Sequence, residues 1–160
     1  MALNDSLAWS SVSARHRAAF LGETAERKFV PNGTKLYRFV TRGDGLVNEG
    51  GLISPWWFPL ECFGEFDRGL EGVLDFARTV GVSSTEYVRL IAAVTEQWNT
   101  GMNAIRKAEL MQPVYAFWGQ CANQPRKKGS TVNLPGRAYQ MYIPNLTTDH
   151  LKEIEVVSAP

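Results

Sequence analysis

Apolar positions recur at helical spacing in some stretches of the chain and alternate in others. From about Asn4 to Arg27, Leu7, Val12 and Phe20 fall at spacings that share a helical face, and Asp5 or Ser6 is placed to cap the start. This predicts an N-terminal helical segment within residues 1–30. Pro31-Asn32-Gly33 reads as a turn. Lys35 to Val40 alternates like a strand, with Leu36 and Arg38 on one face and Tyr37 and Phe39 on the other. A loop with glycines at 43, 45, 50 and 51 follows. In the segment Leu52 to Pro59, two prolines exclude a central strand and predict an edge or a rigid extended piece.

Gly69 to Val80 and Ser84 to Trp98 read as two helices broken at Gly81. Ser83-Ser84 ahead of Glu86 resembles a capping signal, and Val88, Ile91, Ala92 and Thr95 share a face. Val114 to Gly119, Ala138 to Ile143 and Glu153 to Val157 are strand candidates, with a polar, basic loop from Gln124 to Pro135. Strands at both ends with helices between them predict an α+β fold rather than a doubly wound α/β sheet.

The totals narrow the class. A chain of 160 residues with 44% apolar and 21% charged positions fits one globular domain over residues 1–160. A formal net charge of +1 gives no field for strong non-specific binding to nucleic acid. Cys62 and Cys121 have neither CxxC spacing nor a histidine cluster, so no zinc site is predicted. Both read as buried small hydrophobes, and they pair only if the fold brings them together. No apolar run has transmembrane length, so no membrane contact is expected. Residues Met1 to Ala8 show no basic-then-apolar pattern, so any export uses a route that does not read a standard signal peptide.

Three places carry candidate chemistry. Arg38 lies mid-strand between aromatics: it either faces solvent or needs an anionic partner, and a guanidinium suits a phosphate or pyrophosphate. Trp56 and Trp57, close after Ser54 in a proline-bounded segment, either pack in a core or line a groove where an indole stacks on a flat ring. Gln140 sits between apolar strand residues, so it is either solvent-facing or a buried amide that needs partners, such as a sugar hydroxyl. His16 and His150 read as surface residues, and Glu61, Glu65 and Asp67 as a solvated acidic face. No GxGxxG, Walker, HExxH or GxSxG motif is present.

The order of these pieces resembles a known family. Leu36-Tyr37-Arg38-Phe39 is followed by Ser54-Pro55-Trp56-Trp57, then Trp98-Asn99, then Phe117-Trp118-Gly119-Gln120 through Gln124. Leu134-Pro135-Gly136, Gln140 and Ile143-Pro144 complete the series. Over residues 34–157 this resembles the ADP-ribosyltransferase-like C-terminal toxin domains of Rhs-type and other polymorphic bacterial toxins. The resemblance implies central, mostly antiparallel sheets with helices inserted between strands. It also implies NAD as substrate, no metal, an immunity protein as a possible partner and action in the cytoplasm of a target cell. In the family a first-strand Arg or His holds the NAD phosphates or ribose, and Arg38 matches. A middle-strand Ser followed by aromatics shapes the nicotinamide pocket, where Ser54 and Trp56 or Trp57 stand, though the gap from Arg38 is shorter than in the transferase pattern. The family's late-strand catalytic Glu is absent, and Gln140 stands there instead.

The resemblance therefore implies cleavage of the nicotinamide–ribose bond, by NAD hydrolysis or by ADP-ribosyl transfer to a macromolecular acceptor. Arg38 would grip the pyrophosphate, Tyr37 with Trp56 or Trp57 would flank the nicotinamide, and Gln140 would hold the ribose. The glycine-rich loop would close over the ligand. The competing expectation is a non-enzymatic effector or inhibitor that presents Trp56, Trp57, Trp118 and Tyr115 as a binding hot spot. Convergence of Arg38, the double Trp and Gln140 on one concave pocket separates the two readings.

Overall fold

A computed structural model describes residues 1–64, 67–95, 99 and 101–160. Among these residues the fold is α+β, with seven strands in one antiparallel sheet and helices inserted between strands. The strands are β1 (Glu26–Val30), β2 (Lys35–Val40), β3 (Trp56–Pro59), β4 (Ala104–Leu110) and β5 (Val114–Gln120). After them come the short pair β6 (Gln124–Pro125) and β7 (Asn133–Leu134), then β8 (Tyr139–Tyr142) and β9 (Leu151–Ser158). The sheet runs β1-β5-β8-β3-β2-β4-β9, and β6 pairs only with β7.

The helices α1 (Ala14–Arg17), α2 (Gly69–Val80) and α3 (Ser84–Ala92) follow local signals. Leu70, Val73 and Ala77 of α2 are buried on one face, and Gly81 closes the helix in the left-handed conformation at φ 77°. The Ser83 side chain caps α3 by accepting from the Glu86 backbone N–H at 3.1 Å.

The alternation in β2 splits two cores. Leu36 packs with Trp57, Ala108 and Met141 in one, while Tyr37, Phe39 and Ile105 pack with Leu70, Val73 and Val88 of the helices in the other.

Several expectations are corrected. Residues 4–27 are not one helix: α1 is a single turn flanked by 3-10 turns, and Asn4 and Gly22 have positive φ. The segment instead bonds along the sheet. Leu3 N–H donates to the Pro113 carbonyl and the Leu3 carbonyl accepts from Tyr115 N–H, while Phe20 bridges to Cys121. Val12 and Phe20 are buried as the helical spacing demanded, but against Phe117 and Tyr142 through an irregular path. Tertiary burial outweighs weak helix propensity here. The helix expected over 84–98 ends at Ala92, where Ala93 turns left-handed at φ 51°; Trp98 lies outside the described residues.

The proline-bounded segment, expected at an edge, instead forms β3 inside the sheet: Trp56 and Trp57 pair with β8, and Phe58 and the second proline, at its last position, pair with β2. The unforeseen strand β4 pairs with both β2 and β9. Its charges disguise the pattern, and two of them are used as ion pairs to β9, Arg106–Glu153 at 2.7 Å and Lys107–Glu155 at 3.0 Å. Cys121 is buried but Cys62 is exposed, and both are free. No helix among the described residues is long and apolar enough to cross a membrane.

Candidate functional site

The site begins where two strands part. Strands β2 and β3 pair only at Leu36–Pro59 and Tyr37–Phe58. Beyond that point β2 continues beside β4, while Trp56 and Trp57 pair with Tyr142 and Met141 of β8. A cavity of about 320 Å³ opens near the divergence, within the size range of small-molecule sites. Arg38, Phe39, Trp56, Phe58 and Gln140 contribute to its lining from the sheet, Ala92 to Val94 from the end of α3, and Arg15, His16 and Ala19 from the N-terminal segment.

Arg38 is the electrostatic centre. Its Nε is buried without a hydrogen-bond partner, and its guanidinium lies 5.6 Å from the centroid of the Trp57 ring. Burial lowers its pKa to about 10, the adjacent Arg106 cation acts in the same direction, and Asp44 opposes them. The group therefore stays charged at neutral pH.

Arg106 lies opposite Arg38 in the β2–β4 register, and its fate contrasts. Its Nε donates to Glu153 at 2.7 Å, and its other nitrogens donate to the carbonyls of Asp44 and Gly45 at 2.6 and 3.2 Å. One arginine of the pair is fully engaged, and the other has no ion-pair partner among the described residues. A desolvated cation in that state is a ready counter-charge for an anion. The same contacts pin the glycine-rich loop at Asp44 and Gly45, and residues 42–51 contribute nothing to the cavity lining, so the loop is no lid over it in this structure.

Gln140 faces the cavity from β8 and is only 7% exposed. Its Nε2 donates to the Ala19 carbonyl at 3.3 Å, and its Oε1 has no hydrogen-bond partner among the described residues. The register that delivers it requires glycine at two points. Gly119, opposite Gln140 in β5, has Phe20 at 2.8 Å and the Thr24 carbonyl at 2.9 Å from where a Cβ would sit. Gly136 adopts φ 72°, with the Cys121 and Ala122 carbonyls both 2.7 Å from its Cβ position, and its N–H donates to Leu90 of α3. Gly136→Ala is expected to cost about 2 kcal/mol. For a domain of this size that lowers the melting temperature by about 4–8 °C in a calorimetric scan.

His16 is a pocket residue rather than a surface one. Its Nδ1 lies 3.0 Å from the Tyr142 hydroxyl, and its ring packs 6.0 Å from Trp56, itself 4.6 Å from Tyr142. Burial raises the Tyr142 pKa. Asn99 anchors the far wall, donating to the Phe39 carbonyl at 3.3 Å and accepting from Thr41 at 2.9 Å. Buried Arg89 donates to the carbonyls of Val94 and Asn99 at 2.9 and 2.8 Å, bracing both ends of that wall. No spacing rule links His16 to Tyr142, which lie 126 positions apart.

Arg38, Trp56 and Gln140 all contribute to the lining of one cavity, and the Arg38 guanidinium packs beside Trp57, which does not. Tyr37, Ser54 and Trp57 do not contribute to its lining. Tyr37 points into the core beneath the helices, and Trp57 is fully buried, its indole N–H donating to the Ser54 carbonyl at 2.7 Å. Trp118 is also buried and Tyr115 lies under the Arg27 guanidinium, so the four aromatics of the hot-spot reading form no common surface. Glu61 is exposed, Glu65 lies outside the described residues, and half-buried Asp67 accepts from the Phe63 and Gly69 N–H groups. His150 hydrogen-bonds to Thr147, away from the cavity. Among the described residues no carboxylate contributes to the cavity lining, and no group of three His, Cys, Asp or Glu side chains could hold a metal ion.

No protein-family model matches the sequence, and no curated protein matches it. A solved structure, that of Tne2 in complex with Tni2, is similar to this chain with a TM-score of 0.52 and 14% sequence identity, covering 86% of this chain and 93% of that one. At that identity the likeness is one of fold, and it extends over nearly the whole of both chains.

Proposed function

We propose that this chain is a toxin or effector domain that cleaves the nicotinamide–ribose bond of NAD, with hydrolysis as its main outcome. The observation that carries the reading is the meeting of Arg38, Trp56 and Gln140 around one concave cavity. A half-buried cation without an ion-pair partner among the described residues, an aromatic wall and an amide with a free oxygen are complementary to a pyrophosphate, a pyridinium ring and ribose hydroxyls.

The chemistry needs little machinery. Nicotinamide leaves as a neutral base, taking the bonding pair and discharging its own positive charge. The ribose passes through an oxocarbenium-like state, as in glycoside hydrolysis. Water then bonds to the anomeric carbon and loses its proton to solvent, giving ADP-ribose. In this reading Arg38 binds the pyrophosphate, Trp56 and Phe58 flank the nicotinamide, and the Gln140 Oε1 accepts from a ribose hydroxyl and fixes the sugar as charge develops. Water is the nucleophile in this reading; transfer to a macromolecular acceptor is the alternative outcome. A similar fold has been solved in complex with a second protein, which agrees with the proposal of an immunity protein as partner.

The test is direct. Purified protein should convert NAD to nicotinamide and ADP-ribose, separated by chromatography and mass spectrometry. Arg38→Ala should lower kcat/KM by about 10–100-fold, mostly through KM, because a pyrophosphate grip acts alike on substrate and transition state. NAD left intact at high protein concentration, with and without lysate as acceptor, would overturn both outcomes.

A further inference from the structure

A second cavity, of about 200 Å³, lies on the other side of Phe58, between the sheet and helices α2 and α3. Phe58 contributes to both cavities. A backbone seam also stands between them: Gly136 and Ala138 N–H groups donate to the Leu90 and Ile91 carbonyls at 2.9 Å, tying the end of α3 to the approach of β8. Strand β2 serves both compartments with consecutive residues, Arg38 contributing to the cleft and Tyr37 to the second cavity.

Tyr37 is 3% exposed, yet its hydroxyl forms no hydrogen bond among the described residues. The hydroxyl is thus available to a molecule in the cavity that Tyr37 lines. Asp67 and Tyr87 line the same cavity, and burial raises the Tyr37 pKa, with Asp67, Cys121 and Tyr87 acting in the same direction. Asp67 holds its own turn by accepting from Phe63 N–H at 2.9 Å and Gly69 N–H at 3.3 Å, which leaves lone pairs on both oxygens. The Phe58 ring stacks on Tyr37 at 5.5 Å, Tyr139 adds aromatic surface, and the exposed Arg68 and Arg137 stand at the rim.

We propose that this cavity is a binding site for a planar heteroaromatic ring bearing an amino or amide group. Flat aromatic walls suit the ring, the Asp67 carboxylate accepts from its N–H groups, and the Tyr37 hydroxyl bonds to a ring nitrogen or an amide oxygen. The volume holds one such ring system and not a dinucleotide. The site is distinct from the Arg38 cleft and does not depend on the activity proposed there.

The experiment is calorimetric titration of the full chain with two probes, adenosine and nicotinamide, the first a purine amine and the second a pyridine amide. Binding of either that weakens in Tyr37→Phe and survives Gln140→Ala supports the site and identifies which ring it takes. Tyr37→Phe removes only an unbonded hydroxyl, so its melting temperature should stay at or above that of wild type, and the affinity should fall about five- to tenfold. Gln140→Ala, which alters the cleft alone, should leave that affinity unchanged. Failure of both probes to bind at millimolar concentration would overturn the proposal. So would binding that is unchanged in Tyr37→Phe, and its loss in Gln140→Ala would put the probe in the cleft.

Discussion

Gln140→Ala is expected to slow NAD cleavage by about 100-fold or more, with the loss in kcat, while the domain stays folded. The expectation follows from the two ends of one amide. The Nε2 end is structural: it donates to the Ala19 carbonyl, which also accepts from Ala122 N–H at 2.9 Å, so that carbonyl keeps a partner when the side chain is truncated. The structural cost is therefore about 1–2 kcal/mol. The Oε1 end has no hydrogen-bond partner among the described residues. A contact strengthened only as the ribose gains positive charge lowers the barrier without tightening the ground state, so its removal appears in kcat. Steady-state kinetics alongside a thermal melt separates the effects. A variant that melts close to wild type and retains its kcat would remove Gln140 from the chemistry.

How much of this was legible in the sequence depends on the range of the interaction. Strand β2 and the caps of α2 and α3 are set by neighbouring residues, and the alternation of Leu36, Tyr37, Arg38 and Phe39, Gly81 and Ser83 marked them at their positions. Strand β4 was hidden because its charges Arg106 and Lys107 are matched by Glu153 and Glu155 of β9, nearly fifty positions later. The N-terminal segment was misread for the same reason. Its apolar residues fit a helical face, but their partners are Phe117 and Tyr142, and a chain bonded edge-on to β5 cannot also satisfy its own helical ladder.

The candidate site divides along the same line. Arg38 and Gln140 stood out because a charged or amide side chain within an apolar strand is locally anomalous. His16 carried no such mark, since only the folded chain sets it against Tyr142. The double Trp posed a choice the sequence left open. In an extended strand adjacent side chains take opposite faces, so one indole must leave the cleft when the other enters it. Trp56 faces the cavity with Phe58, two residues along, and Trp57 goes to the core with Leu36 and Met141.

That division makes Trp57→Ala the change with the largest expected effect on stability. The ring is fully buried among Leu36, Ala108 and Met141, and its truncation should cost about 3–5 kcal/mol, the range for a core Trp or Phe cut to Ala. Against a total stability of about 5–15 kcal/mol, that is a large fraction. The melting temperature should fall by about 6–20 °C for a domain of this size. Two further losses act locally: the Ser54 carbonyl loses its indole donor, and the Arg38 guanidinium loses the ring beside it. Trp57→Phe isolates the packing share, because it keeps an aromatic ring while removing the N–H, and it should recover most of the lost melting temperature. Trp56→Ala supplies the contrast: a half-buried ring at the cleft wall should cost little stability and weaken NAD turnover instead. Should Trp57→Ala melt within about 2 °C of wild type while Trp56→Ala unfolds, the two indoles would have to exchange faces, and the β3 register that places the cleft would be wrong with them.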